Sequence, residues 1–337
     1  MNKTQKTTMV GKASLGGAAL TSALSASAAL AAEKQPQLSW GVLLHLGRNM
    51  WGDCDTAYSP PAKTLIAEEQ LWEELTIKAA ESGLNMVVVD LGEAIQYQSC
   101  PEIAIDGAWT VEKLRKDIER MRGLGLEVIP KLNFSSCHDF WLGEYARMLS
   151  TKPYYNVCSK LIKEVSEIFD YPRYFHLGYD EENYPNQVSY EYVVIRQKEL
   201  WKHDFLFFVE ECEKNNVRPW IWADYGWNHE DFVEWAPKSV VMSNWYYGTD
   251  FDTEKVPRAK FYKTLQEAGY DQIPTGSNWS NDENFELTVK FGKENLSGDR
   301  LLGYLQTPWH MTISARREHN LHSIELVAEA KKKYYGD

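Results

Sequence analysis

The chain has 337 residues, enough for one large domain or two small ones. Its 36 basic and 48 acidic residues leave a net charge of -12. That balance argues against nucleic acid and against an anionic membrane as partners, since both demand positive patches. The 13 Trp and 19 Tyr supply rings for a core, and equally flat amphipathic faces of the kind that pack on sugars.

At the amino terminus Lys3, Lys6 and Lys12 precede a small-residue stretch rich in Ala, Leu and Gly, which ends at Ala29-Leu30-Ala31 and Ala32. This is the layout of an export signal with an A-x-A cleavage site. Residues 1–32 are therefore expected to direct export to the periplasm or the exterior, and residues 36–337 to form a single folded domain. No later run is long and apolar enough to span a bilayer. Five cysteines, Cys54, Cys100, Cys137, Cys158 and Cys212, leave at least one unpaired within the chain, and their spacing matches no zinc motif. Cys54, Cys100 and Cys137 each follow an expected strand, so two of them meeting on one rim is an open question.

Apolar runs mark the expected strands in chain order. The first covers 38–46, and an amphipathic helix follows over 67–82, closed by Gly83. The second strand covers 84–91, and a helix over 110–122 has Thr110 as N-cap and Gly123 as stop. A third strand over 126–132 is followed by a helix over 154–169. A fourth over 174–178 is followed by a long helix over 188–214. The fifth and sixth strands, 217–223 and 239–245, flank a short helix at 230–235. A helix over 253–268, a seventh strand over 271–277 and a helix over 282–295 come next. The eighth strand, 300–307, leads to a closing helix over 315–334. Eight alternations of strand and helix imply parallel strands with helical crossovers, and eight units in about 300 residues predict a (β/α)8 TIM barrel. The open doubly wound sheet is disfavoured, because no Gly-rich phosphate loop follows the first strand.

Barrel enzymes react at the C-terminal ends of their strands. Arg48 and Trp51 stand there after the first strand, Asp90 and Glu93 after the second, and Asn133 and His138 after the third. The fourth ends in His176-Leu177-Gly178-Tyr179-Asp180-Glu181-Glu182, an apolar approach that delivers three carboxylates at one point. Adjacent carboxylates repel, so a desolvated one is expected to stay protonated near neutrality, as general acid catalysis requires. Trp222, Asp224 and Tyr225 follow the fifth strand, and Asn244, Trp245 and Tyr246 the sixth. Trp279 and Asp282 follow the seventh, and Trp309 and His310 the eighth. Acids, one Arg and several Trp are what a monosaccharide pocket needs: polar groups for hydroxyls, rings for the apolar sugar face, carboxyls for cleavage.

These residues resemble the family 20 glycoside hydrolases, the β-N-acetylhexosaminidases. The family's fourth-strand signature, H-x-G-G-D-E, reads here from His176 to Glu181 with Tyr179 in place of the second Gly. The run from Gly41 to Arg48 is similar to the family's first strand, which implies that Arg48 grips ring hydroxyls. Pro130 and His138 echo a third-strand motif, and Trp222, Trp245 and Trp309 fall where the family has aromatic walls. The stretch from Asn278 to Asp282 is similar to its seventh-strand motif. The resemblance implies that Glu181 is the acid/base and that Asp180 orients a 2-acetamido group, which itself attacks the anomeric carbon with retention. His176 is expected to orient Asp180. Arg48, His138, His176, Trp222, Trp245, Trp279, Asp282 and Trp309 are the implied substrate contacts, and no cofactor and no metal are called for.

The chain also departs from the family. Ser280 stands where a Tyr donates to the acetamido oxygen, which leaves Tyr225, Tyr246 or Tyr247 to supply a hydroxyl. Met311 stands where an acid follows the last Trp, and Val88 and Asp90 stand where the family has His. Three alternatives follow: a glycosidase of another β-linked sugar, a glycan-binding barrel without turnover, and a metal-dependent barrel using His45, Asp90, Glu93, His176 and Asp180.

Overall fold

A computed structural model describes residues 37–48, 63–190 and 192–336. The expected export signal, Trp51 and Cys54 lie outside the described residues. Eight strands run as β1 (Ser39–His45), β2 (Met86–Asp90), β3 (Glu127–Lys131) and β4 (Tyr174–His176), then β5 (Arg218–Trp222), β6 (Val241–Ser243), β7 (Thr275–Gly276) and β8 (Gly303–Gln306). All ladders are parallel, in the order β6-β5-β4-β3-β2-β1-β8-β7. Parallel bridges Met242 to Gln272 and Trp245 to Thr275 join the two ends of that order, so the sheet closes into the expected barrel.

The helices among the described residues are α1 (Glu69–Glu81), α2 (Val111–Gly123), α3 (Lys152–Ile168), α4 (Tyr184–Gln187) and α5 (Lys198–Lys214), then α6 (Phe232–Trp235), α7 (Pro257–Glu267), α8 (Asn284–Asn295) and α9 (Arg317–Tyr335). Thr110 caps α2 as expected, its side chain accepting from the Lys113 amide. None of the helices is long and apolar enough to cross a membrane.

The period-two alternation of the strands sorts their residues into two layers. Leu43, Met86, Val88, Ile129, Tyr174, Trp220, Trp222, Val241, Ile273 and Leu305 fill the barrel's interior. Their neighbours Val42, Leu44, Val87, Val89 and Val128 pack outward against the helices. At the strands' C-terminal ends this inner row becomes polar, because His45, Asp90, Lys131 and His176 stand side by side in register.

Two expectations need correction. The long helix over 188–214 begins only at Lys198. The segment before it is an irregular strap, held by Gln187, whose Oε1 accepts from the Val194 amide, and by Glu182, which accepts from the Arg196 amide. The buried Arg196 guanidinium lies 2.8 Å from Glu182, and satisfying that buried charge outweighs helical continuity. The seventh strand shrinks to two residues, since Pro274 has no amide to give to a ladder.

Candidate active site

The turn after β4 carries the two acids. Gly178, Tyr179 and Glu181 all have positive φ, at 68°, 74° and 58°. The left-handed region costs a residue with a Cβ about 1–2 kcal/mol, so such a turn persists only where its surroundings dictate it. Gly178 is required twice over, because a Cβ there would also stand 2.2 Å from the Asn133 side chain.

Asn133, two residues past β3, is the clamp. Its Oδ1 accepts from the amides of Ser135 and Tyr179, and its Nδ2 donates to Asp180 Oδ1 at 2.8 Å. The same loop holds the backbone carbonyls of both acids. Ser135 Oγ donates to that of Asp180 at 2.5 Å, and Cys137 Sγ to that of Glu181 at 2.8 Å. From the opposite side, Asp224 after β5 accepts the Glu181 amide at 2.9 Å.

His138 joins the carboxylates. Its Nε2 lies 3.2 Å from Glu181 Oε2 and 3.5 Å from Asp180 Oδ2. Donor atoms of His138, Asp180 and Glu181 all fall within 4.8 Å of one another, the one group among the described residues with the spacing to hold a metal ion. Burial disfavours a charged imidazole, but the charge of Asp180 and the hydrogen bond to Glu181 outweigh it and raise the pKa of His138. Burial raises Asp180, partly offset by His138, with the neighbouring Glu181 charge adding to the rise. Asp224 is pushed up to about 7, first by burial and then by the charge of Asp180.

Below these groups lies an ionic layer. Lys131 Nζ reaches Asp90 Oδ2 at 2.6 Å and His45 Nδ1 reaches the same oxygen at 3.1 Å. Burial alone would raise the Asp90 carboxyl, yet Lys131 and His45 hold it down at about 2. Lys131 carried no signal beyond its inward parity with Ile129.

The remaining expected contacts divide. Trp309 caps the interior, 5.7 Å between ring centroids from both His45 and Trp222, and donates through Nε1 to the Tyr247 hydroxyl at 2.8 Å. Trp222 is 1% exposed and backs Trp309 from beneath. Trp245 is half-buried at the end of β6 and donates to Asp224 Oδ1 at 3.2 Å. The Arg48 amide binds Glu93 Oε1 at 2.9 Å, and its Nε is shielded without a hydrogen-bond partner among the described residues. Trp279 stands 61% exposed. Asp282 pairs with His322 of α9 at 3.3 Å and does not cap α8, where Asn281 Oδ1 accepts the Asn284 amide.

His176 does not orient Asp180. It lies fully buried between the rings of Trp220 and Trp222, and its Nδ1 accepts from the Gly178 amide at 3.0 Å. Burial holds its pKa well below the usual histidine range, so it stays neutral. Asn133 and His138 hold Asp180 instead.

Tyr179 does not fill the pocket. Its ring packs outward among Trp201, Phe205 and Phe208, with the Arg196 guanidinium 4.6 Å above it. Of the three candidate tyrosines, Tyr225 is stacked between Trp201 and His229, and Tyr246 packs against Phe251. Tyr247 is the one whose hydroxyl feels the charges of Asp180 and Glu181. Burial raises its pKa first and those charges add, so it remains a protonated donor.

Comparison with solved structures finds the same architecture in β-N-acetylhexosaminidase from Bacteroides fragilis NCTC 9343, at a TM-score of 0.58 and 14% identity over 86% of this chain and 66% of that one. The GH20 exo-β-N-acetylglucosaminidase from Vibrio harveyi matches at 0.57 and 15%, over 86% and 54%. The GH20 β-N-acetylhexosaminidase from Streptomyces coelicolor A3(2) matches at 0.57 and 11%, over 86% and 64%. What these structures share with this chain is the (β/α)8 barrel. At these identities the likeness is one of fold, and the chain spans between about half and two thirds of each neighbour's length. No protein-family model matches the sequence. No curated protein matches it either. Among the described cysteines, Cys100, Cys137, Cys158 and Cys212 are buried free thiols.

Proposed function

We propose that the chain is a retaining glycoside hydrolase that removes a terminal β-linked N-acetylhexosamine with help from the substrate's own acetamido group. The observation that carries this reading is the close set of His138, Asp180 and Glu181 at the barrel's C-terminal mouth. Grouped this closely, one carboxyl can give the proton while the other supports the acetamido group of the same sugar. The barrel's likeness to structures described as β-N-acetylhexosaminidases supports the same sugar.

In this mechanism Glu181, which is 27% exposed, gives its proton to the glycosidic oxygen as the aglycone leaves. The acetamido oxygen closes on the anomeric carbon to form an oxazolinium ion. Asp180 accepts the acetamido N–H and offsets the developing positive charge, held at the correct angle by Asn133. The Tyr247 hydroxyl donates to the acetamido oxygen, with Trp309 fixing its position from the other side. Glu181, now ionised, takes a proton from water, which opens the ring with overall retention. His138, shared by both carboxylates, reduces the repulsion that would otherwise drive them apart. Arg48 and Glu93 bind sugar hydroxyls, and Trp245 and Trp309 pack on the ring face.

A panel of aryl glycosides tests this, with the product's anomeric configuration followed by NMR. N-acetylglucosaminide and N-acetylgalactosaminide are expected to turn over with retention, far faster than the 2-hydroxy analogues. Inversion would exclude acetamido participation. Binding without turnover across the panel would leave a glycan-binding barrel. We also infer export from residues 1–32, which N-terminal sequencing of the secreted protein would test.

A further inference from the structure

We propose that Asp224 is a positioning residue that ties the backbone of Glu181 to the aromatic wall at Trp245; this rests on the reading of Glu181 as the acid/base. Asp224 stands at the end of β5, between the strands that carry the other two groups. One carboxylate oxygen accepts the Glu181 amide at 2.9 Å and the other accepts Trp245 Nε1 at 3.2 Å. The amide it holds belongs to a residue at φ 58°, a conformation that needs external support. The β3 loop holds the Glu181 carbonyl through Cys137 and its carboxylate through His138. Asp224 supplies the matching hold on the amide side, so the two together set the direction of the Glu181 side chain.

The two oxygens serve two N–H donors, so both must be acceptors. Asp224→Asn keeps the shape but turns one acceptor into an NH2 that faces a donor. The variant is expected to lose about 10- to 100-fold in kcat on an aryl β-N-acetylglucosaminide, with KM changed far less. Its pH profile should move as well. The charges bearing on this corner are Asp180 and Glu181 after β4, Lys131 of β3, His138 in the loop that follows it, and Arg258 of α7 over the Trp245 ring. Above about pH 7, where Asp224 is ionised, removing its charge lowers the pKa of the remaining carboxyls, so the alkaline limb shifts to lower pH. A merely structural residue would lower the melting temperature and leave that limb in place.

Amide hydrogen exchange at Glu181 gives a readout that does not need activity. It is expected to be slow in the natural protein and fast in Asp224→Asn. Should the natural protein hydrolyse no glycoside, the functional reading fails while the exchange experiment still decides this one. Should Asp224→Asn not fold, Trp245→Phe keeps a smaller aromatic face for the sugar and removes the indole donor. A drop in its kcat at nearly constant KM is expected. Unchanged kcat and pH profile in a folded Asp224→Asn, unchanged Glu181 exchange, or unchanged kcat in Trp245→Phe would each overturn the proposal.

Discussion

Replacing Arg196 with Met should destabilise the protein strongly, although Arg196 makes no contact with the expected sugar site. The guanidinium is buried, and its Nε and Nη2 each reach a Glu182 oxygen at 2.8 Å. It also donates to the Phe134 carbonyl at 2.7 Å, approaches Asp204 at 3.5 Å and lies over the Tyr179 ring. Methionine fills similar volume but leaves two buried carboxylates without a cation. Asp204 keeps donors from Ser150 and Tyr155, so most of the cost falls on Glu182. Stranding one partner of a buried pair costs about 3–5 kcal/mol. In a protein of this size that corresponds to a drop of roughly 5–8 °C in melting temperature. The double variant Arg196→Met with Glu182→Met removes the stranded charge and should recover most of the loss. Thermal and urea unfolding of the two variants beside the natural protein measure both effects. A single-variant loss under about 3 °C, or a double variant no better than the single, would refute the reasoning.

Tyr247→Phe should lower kcat/KM on N-acetylhexosaminides by about 10- to 100-fold and on 2-hydroxy glycosides far less, because the acetamido oxygen loses its donor only in the former while Trp309 Nε1 loses an acceptor in both. Asp90 is depressed from an ordinary 3.8 to about 2, so its pairing contributes stability that is fully present above the ordinary value and lost as the pH falls through about 2. The urea midpoint of the natural protein should therefore fall more steeply than that of Asp90→Asn between about pH 4 and pH 2, by an amount on the order of 2 kcal/mol; parallel curves would contradict it. Turnover is expected to survive EDTA, and a loss restored by a divalent cation would assign the His138, Asp180 and Glu181 cluster to a metal.

The barrel was legible in the sequence because burial on two faces writes itself into strand composition. Runs such as Val87, Val88 and Val89 send alternate residues to the interior and to the helix layer, and both layers are apolar. The pair Asp180 and Glu181 was legible for a similar reason, as acids delivered by a buried strand. What escaped depends on contacts distant in sequence. Arg196 meets Glu182 across 14 positions of irregular chain, so a run of helix formers does not reveal that the segment is pinned as a strap. The direction of Tyr179 follows from its positive φ and from the pocket offered by α5, neither of which a strand pattern encodes. His176 sits on the inner face as its parity demands, but the barrel interior there is closed by Trp220 and Trp222. Asp224 was recognisable only as an acid at a strand end; its use depends on a left-handed residue on the neighbouring strand.

The most direct test of the account is the rate at which nitrophenol leaves an aryl β-N-acetylglucosaminide, measured for the natural protein and for Glu181→Gln. Glutamine keeps the side chain's size and its place beside His138 but has no proton to give. The account predicts measurable turnover by the natural protein and a loss of about 10²- to 10⁴-fold in the variant. Turnover that persists in Glu181→Gln at the natural rate would contradict it.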